Sequence, residues 1–172
     1  MRTRIVVAIA CALAATGAAA QPPAGPRIDL DSVAALVAAV AGCAALHSSA
    51  ADALERGGLA AYADVARRRA EADQLTAMFL VAEDRVAKGG ARRDYMSYAS
   101  YVEDLTAAAR AHMAAIVTLQ DIDKFTNEEN FCSSLVALED ETLAKINAET
   151  DARFAPGAEV AAADDGAPLA HN

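Results

Sequence analysis

Apolar and small residues recur at intervals of three and four along most of the chain, in four segments that are separated by helix-ending signals. This spacing places them on one face of an α-helix. Alanine, the strongest helix former, dominates all four segments. No run combines β-branched residues with the strict alternation typical of strands. The pattern therefore predicts an all-α protein.

Two double glycines set the boundaries of the first two predicted helices. The first helix is expected from about Asp31 to Arg56, ahead of Gly57 and Gly58. The second is expected to span about residues 59–88, ahead of the glycines at 89 and 90. Paired glycines end helices because they adopt left-handed backbone conformations at little cost.

The third helix is predicted from about Asp94 to Leu119, followed by the looser segment QDIDKF. Thr126 and Glu129 then have the spacing of a capping box, so a fourth helix is expected to begin there and continue to about Thr150. Short connections make neighbouring helices antiparallel. The four segments thus predict an up-down-up-down four-helix bundle over residues 31–150.

Each predicted helix carries an inward stripe. The first stripe is Val33, Leu36, Val40, Cys43, His47, Ala50 and Leu54. The second is Val65, Ala72, Leu75, Phe79, Ala82 and Val86. The third is Tyr95, Tyr98, Val102, Leu105, Ala109, His112, Ile116 and Leu119. The fourth is Cys132, Leu135, Val136, Glu139, Leu143 and Ile146.

The two ends of the chain differ from this pattern. Arg2 and Arg4 precede a short apolar run and then small residues, which predicts a signal peptide over residues 1–20 with cleavage before Gln21. The alternative is a lipoprotein whose lipidated N-terminus is Cys11. Residues 21–30, rich in proline, are expected to form a flexible leader, and residues 151–172 a disordered acidic tail.

The formal net charge is −9, and removal of the two signal-peptide arginines makes the mature chain more acidic. Such a surface repels nucleic-acid phosphates and anionic lipids, so we expect no nucleic-acid partner. We also expect no membrane span in the mature chain, because no second apolar segment looks long and uncharged enough. The predicted location is periplasmic or secreted.

Cys43 and Cys132 are the two cysteines of the predicted mature chain, and in an exported protein they favour a disulfide. If helices one and four began level, the two residues would differ in height by about 12 Å. A disulfide tolerates about 7 Å between Cα atoms. A descending connection from Gln120 to Phe125 would bring Cys132 closer to Cys43. A pair of buried thiols and metal ligation are the alternatives.

His47 and His112 lie on the stripes of two helices that the bundle makes parallel, so they could share a level across the core. With Cys43 and Cys132 they form a possible Cys2His2 ligand set, which suits zinc or copper. A haem between the histidines is the related alternative. The C-x-x-C-H motif of covalent haem attachment is absent. The simpler prediction is that both histidines pack in the core without a cofactor.

A partner surface is the remaining candidate site. Tyrosine and arginine are favoured in recognition surfaces, and the chain concentrates them in two clusters: Tyr95, Tyr98 and Tyr101, and Arg67, Arg68 and Arg69. No nucleophile or acid–base constellation is visible, so we expect no enzyme. The sequence predicts an exported helical bundle that binds a partner protein or apolar ligand, with a metal- or haem-binding bundle as the alternative.

Overall fold

A computed structural model describes residues 32–119 and 121–154 of the chain. They form five α-helices and one 3-10 turn, with no strand among them. The elements are α1 (Val33–Arg56), α2 (Ala60–Ala87), the 3-10 turn (Tyr95–Tyr98), α3 (Ala99–Thr118), α4 (Ile122–Ser133) and α5 (Val136–Phe154). The predicted signal peptide, Cys11, the leader and residues 155–172 lie outside the described residues.

The double glycines end α1 and α2 as predicted. Gly58 has a φ of 78° and Gly89 a φ of 81°. At the end of α1, the N–H of Gly58 donates to the carbonyl of Glu55. The N–H of Leu59 donates to Leu54, so the last carbonyls of the helix find partners. At its start, the side chain of Ser32 accepts from the N–H of Ala35.

The predicted fourth helix is two helices. Asp121 caps α4 by accepting from the N–H of Lys124, so the helix begins before the Thr126 capping box. It ends at consecutive serines, where the Ser134 hydroxyl donates to the Phe131 carbonyl. Serine hydroxyls compete with helical hydrogen bonds in this way. The prediction of one continuous helix was therefore wrong, and α5 also takes in residues 151–154 of the predicted tail.

Helix α1 is the centre of the fold. It packs against α2, α3 and α4, and Val40, Leu46 and Leu54 have no exposed surface. Among the described residues, α1 is also the one helix that is long and apolar enough to span a membrane. No such helix was expected in the mature chain. However, 56% of that window is buried inside the protein. A helix that is apolar on most sides is typical of a bundle centre as well.

The buried face of α2 differs from the predicted stripe. Val86 on that stripe is 37% exposed, and the fully buried positions are small: Ala63, Ala66, Asp73, Thr76 and Ala77. Helix α1 also buries small residues, among them Ala41, Ala44 and Ala45. Small side chains let packed helix backbones approach closely, and the buried alanines of α2 share one core with larger side chains such as Leu46 and Leu54.

The two glycines after α1 offer a matched test of the turn. Gly58→Ala should lower the free energy of unfolding by about 1 kcal/mol, because an L side chain is strained at positive φ. Gly57 has a φ of −82°, so Gly57→Ala should be neutral. Urea unfolding followed by circular dichroism measures both. Equal losses from the two variants would contradict the assigned turn.

Candidate functional site

A disulfide joins the central helix to α4. Cys43 and Cys132 are bonded, with their Cα atoms 5.6 Å apart. The predicted pairing is therefore confirmed in the structure. The early start of α4 at Ile122 places Cys132 in its last turn, which removes the difference in height that the sequence suggested.

His47 lies one turn along α1 from Cys43 and is only 4% exposed. Its Nδ1 lies 2.7 Å from Oδ2 of Asp73 on α2. Its Nε2 lies 3.2 Å from Oε2 of Glu129 on α4. A neutral imidazole donates from one nitrogen only, whereas a protonated one donates from both. Two carboxylate partners therefore favour the imidazolium form.

Glu129 and Asp73 are each held by a second group. Arg69 of α2 donates to Oε1 of Glu129 at 2.9 Å. Burial and the neighbouring Asp73 carboxyl raise the pKa of Glu139 of α5 to about 8, which favours the protonated form of Glu139 at neutral pH. Oδ1 of Asp73 is buried and has no hydrogen-bond partner among the described residues. A protonated Glu139 would supply the missing donor.

These five residues are named the histidine–carboxylate cluster: His47, Arg69, Asp73, Glu129 and Glu139. They come from four helices, α1, α2, α4 and α5. With Glu139 protonated, two positive charges face two negative charges, so the cluster is neutral. A neutral, hydrogen-bonded set is the arrangement in which charges can be buried at acceptable cost.

The pKa values of the cluster follow from this arrangement. Burial lowers the pKa of His47, but the hydrogen bonds and charges of Asp73 and Glu129 outweigh it and raise that pKa to about 9. Burial, followed by the charge and hydrogen bond of Asp73, raises the pKa of Glu139 to about 8. Burial acts to raise the pKa of Glu129, but His47 and Arg69 hold it below its usual value.

His112 does not join His47 in the core. It is exposed on α3, whereas Ile116 and Val117 are buried. Leu119 at the end of the predicted stripe is 77% exposed. A stripe that steps strictly by three and four drifts from the helical repeat of 3.6 residues. The prediction that His112 is a core residue is therefore wrong, and the two histidines do not lie together in the core.

The three consecutive arginines point to different partners. Arg67 pairs with Glu55 and Asp64, Arg68 is exposed, and Arg69 reaches the buried Glu129. They do not form one surface, because successive helical residues point about 100° apart.

The tyrosines are also divided. Tyr95 is half-buried and packs against Phe79 with ring centroids 6.4 Å apart. Tyr98 is half-buried as well, whereas Tyr101 is 49% exposed. Phe79 lies ten residues beyond Arg69 on α2, about 15 Å along the helix. The tyrosines and arginines are therefore separate features.

A groove lies between α2, the 3-10 turn and α3, with a volume of about 310 Å³. Its apolar wall consists of Leu75, Met78, Met96, Ala99 and Val102. Its polar lining consists of Glu71, Gln74 and Glu103. Neither glutamate takes part in any of the ion pairs of the described residues. This acidic groove was not anticipated from the sequence, because its residues come from three elements.

Within residues 32–119 and 121–154, no group of three or more histidine, cysteine or acidic side chains is placed to hold a metal ion as the protein stands. No family model matches the chain, and searches of curated proteins and of solved structures found no match to it. The groove and the histidine–carboxylate cluster are therefore the features of the chain that bear on its function.

The sequence reasoning identified His47 and both cysteines but not the acidic members of the cluster, apart from Glu139 as a member of a stripe. Asp73 and Glu129 sit among many other acidic residues. One signal was available: Asp73 lies four residues after Arg69 and Glu129 three before Cys132. Those spacings place each on the same helix face as its neighbour.

Removal of the disulfide should destabilise the protein. The bond spans 89 residues, and a loop of that length contributes about 4 kcal/mol on the chain-entropy model. The Cys43→Ala/Cys132→Ala variant should therefore unfold at lower urea concentration, by about 2–4 kcal/mol. Reductant should destabilise the native protein but not the variant. Alkylation of either cysteine in denaturant without reductant would contradict the bond.

Stability of the disulfide-bonded protein should fall as the pH rises from about 5 to 9. His47 has a pKa of about 9 against 6.5 when unfolded, and Glu139 about 8 against 4.5. Between those values the folded protein keeps protons that the unfolded chain releases. Stability therefore declines by up to about 1.4 kcal/mol per pH unit for the buried His47, and by less for the partly exposed Glu139, whose charge is screened by solvent. Below pH 4.5, stability falls as Glu129, whose pKa is lowered, takes up a proton.

The matched control for this pH profile is the second histidine. His47→Gln should reduce the decline between pH 6.5 and 9 and leave the part below about pH 8 that Glu139 causes. His112→Gln should leave the profile unchanged because that side chain is exposed. Urea unfolding at a series of pH values measures the profile. An equal effect of both substitutions would show that the buried imidazolium does not cause the decline.

Proposed function

We propose that the protein is a small exported helical bundle, not an enzyme, that binds an apolar ligand carrying a positive charge in the groove between α2 and α3. The observation that carries the proposal is an apolar groove whose charged lining is entirely acidic. The expected location is the periplasm or the exterior, after cleavage before Gln21. A disulfide between Cys43 and Cys132 is in keeping with an oxidising compartment.

The size of the groove supports a small ligand. Its volume of about 310 Å³ lies at the lower end of the range for small-molecule sites, roughly 300–1,000 Å³. Met78 and Met96 supply flexible side chains that adapt to different apolar shapes. A short alkyl chain or a single ring would fit into such a groove better than the flat surface of a partner protein would.

The charge of the groove supports a cationic group on that ligand. Glu71 and Glu103 approach from α2 and α3, and Gln74 adds a neutral hydrogen-bonding group. The lining includes no lysine or arginine. A positive group between the glutamates gains electrostatic energy without displacing an existing ion pair, whereas an anion would be repelled.

Titration calorimetry with octylamine, octanol and octanoate tests the proposal. These three probes share an alkyl chain, and at neutral pH they are positive, neutral and negative. The amine should bind most tightly and the carboxylate most weakly. Glu71→Gln/Glu103→Gln should weaken amine binding about tenfold, which corresponds to about 1.4 kcal/mol for two partly exposed charges. The same variant should leave octanol binding unchanged.

Two further variants complete the test. Ala99→Leu should weaken binding of all three probes, because it fills the apolar wall. Asp104→Asn removes an exposed charge on α3 beside Glu103 but outside the groove, and should have no effect. Equal affinity for the three probes, or binding that Ala99→Leu leaves unchanged, would reject the groove as a site for a cationic ligand.

A further inference from the structure

Four side chains of the metal-ligating kinds occupy neighbouring turns of two facing helices. Cys43 and His47 are one turn apart on α1, and Glu129 and Cys132 are one turn apart on α4. Two contacts join these pairs: the Cys43–Cys132 disulfide and the 3.2 Å contact between Nε2 of His47 and Oε2 of Glu129. All four residues are no more than 4% exposed. Two sulfurs, one nitrogen and one oxygen therefore lie within about one helical turn of each other in the interior.

The outer partners of these residues orient them as they do in metal sites. Nδ1 of His47 is bound to Asp73 at 2.7 Å, which leaves Nε2 directed at Glu129. Oε1 of Glu129 is bound to Arg69 at 2.9 Å, which leaves Oε2 directed at His47. Carboxylates behind ligating histidines, and hydrogen bonds behind ligating carboxylates, fix ligand orientation in the same manner.

We propose that reduction of the disulfide opens a site for a zinc-like divalent cation, with Cys43, His47, Glu129 and Cys132 as its ligands. Zinc takes four sulfur, nitrogen and oxygen ligands in tetrahedral geometry, and these side chains supply that number and kind. In the disulfide-bonded protein the sulfurs are bonded to each other, so the ligand set is incomplete. This ligand set differs from the Cys2His2 set that the sequence suggested, because Glu129 takes the place of the exposed His112.

The reduction needs a dithiol of the thiol–disulfide exchange class. A thiolate of that dithiol attacks one sulfur, the S–S bond breaks, and the dithiol leaves as its own disulfide after giving up two electrons and two protons. The metal then displaces the protons of both cysteine thiols and the Nε2 proton of His47 into solvent. Electrons and protons balance with no further reactant.

Access to the bond is best at Cys132. This residue lies in the last turn of α4, directly before the break between α4 and α5. Ser134 at that break is exposed. Unwinding of one terminal turn therefore exposes the sulfur to attack, and α1 need not open.

Cobalt is the probe for this site, because thiolate-bound tetrahedral Co²⁺ absorbs visible light strongly. The protein is purified without a histidine tag and reduced with a phosphine, which does not chelate the metal as a dithiol does. The reduced protein should bind one Co²⁺ per chain and show thiolate-to-cobalt absorption, and Zn²⁺ should displace it. The disulfide-bonded protein should show no such absorption.

Variants separate the four-ligand site from binding by two thiolates alone. His47→Ala and Glu129→Gln should each weaken Co²⁺ binding at least about tenfold, and Asp73→Asn, which removes the orienting carboxylate, by about 10- to 100-fold. His112→Ala, at the exposed histidine, should have no effect. Each variant is first checked for helical content in its disulfide-bonded form by circular dichroism.

Three results would overturn the proposal. These are a reduced, helical protein that gives no cobalt spectrum, equal Co²⁺ affinity in His47→Ala and the native chain, and reduced protein that loses helicity and does not regain it with Zn²⁺. Recovery of helicity on adding Zn²⁺ would support it, because metal binding then supplies folding energy. The octylamine test uses the disulfide-bonded protein, so the two proposals fail or succeed separately.

Discussion

The paired contacts of His47 with Asp73 and Glu129 organise the interior of this bundle. An imidazolium buried to this degree is stable only while carboxylates accept from both nitrogens, and loss of one partner of such a buried pair typically costs 3–5 kcal/mol. Because the two acids come from α2 and α4, the histidine ties both helices to α1. Glu139 of α5 lies near Asp73, which helps to raise its pKa, so this helix also borders the cluster. One buried histidine thus contacts acids on two of the helices that pack against α1.

The histidine–carboxylate cluster lies beside an interface that does not by itself fix the register of α1 against α2. Helices α1 and α2 both bury many alanines, and a surface of small residues differs little from one turn to the next. We infer that the cluster and the disulfide select the register, because a shift of one turn would separate His47 from both acids. Buried polar groups have this registering role in some helical assemblies.

Helix α2 carries two different sites on opposite sides. Residues 69 and 73 belong to the histidine–carboxylate cluster, whereas residues 71, 75 and 78 line the groove. At 3.6 residues per turn these sets are about half a turn apart. A ligand in the groove can therefore be studied without touching the cluster. The buried alanines of α2 lie between the two sets on the helix surface.

Local chemistry explains which features the sequence by itself determined. Gly58 and Gly89 end helices because their own backbones reach positive φ, so the limits of α1 and α2 were readable without a fold. Cys43 and Cys132 were the two cysteines of the predicted mature chain, which left one intramolecular pairing. The burial of His47 followed from a stripe near the middle of an apolar helix.

Tertiary structure decided the features that depend on partners distant in the chain. Asp73 and Glu129 lie 26 and 82 positions from His47 in the sequence, where they resemble many other acidic residues. Only the fold brings them into contact with the histidine. His112 shared a stripe with core residues, yet the helical repeat turned it outward. The groove exists only where three elements meet. Helix boundaries depend on neighbouring residues, whereas a buried charge depends on which helices pack around it, and that arrangement is a property of the whole fold.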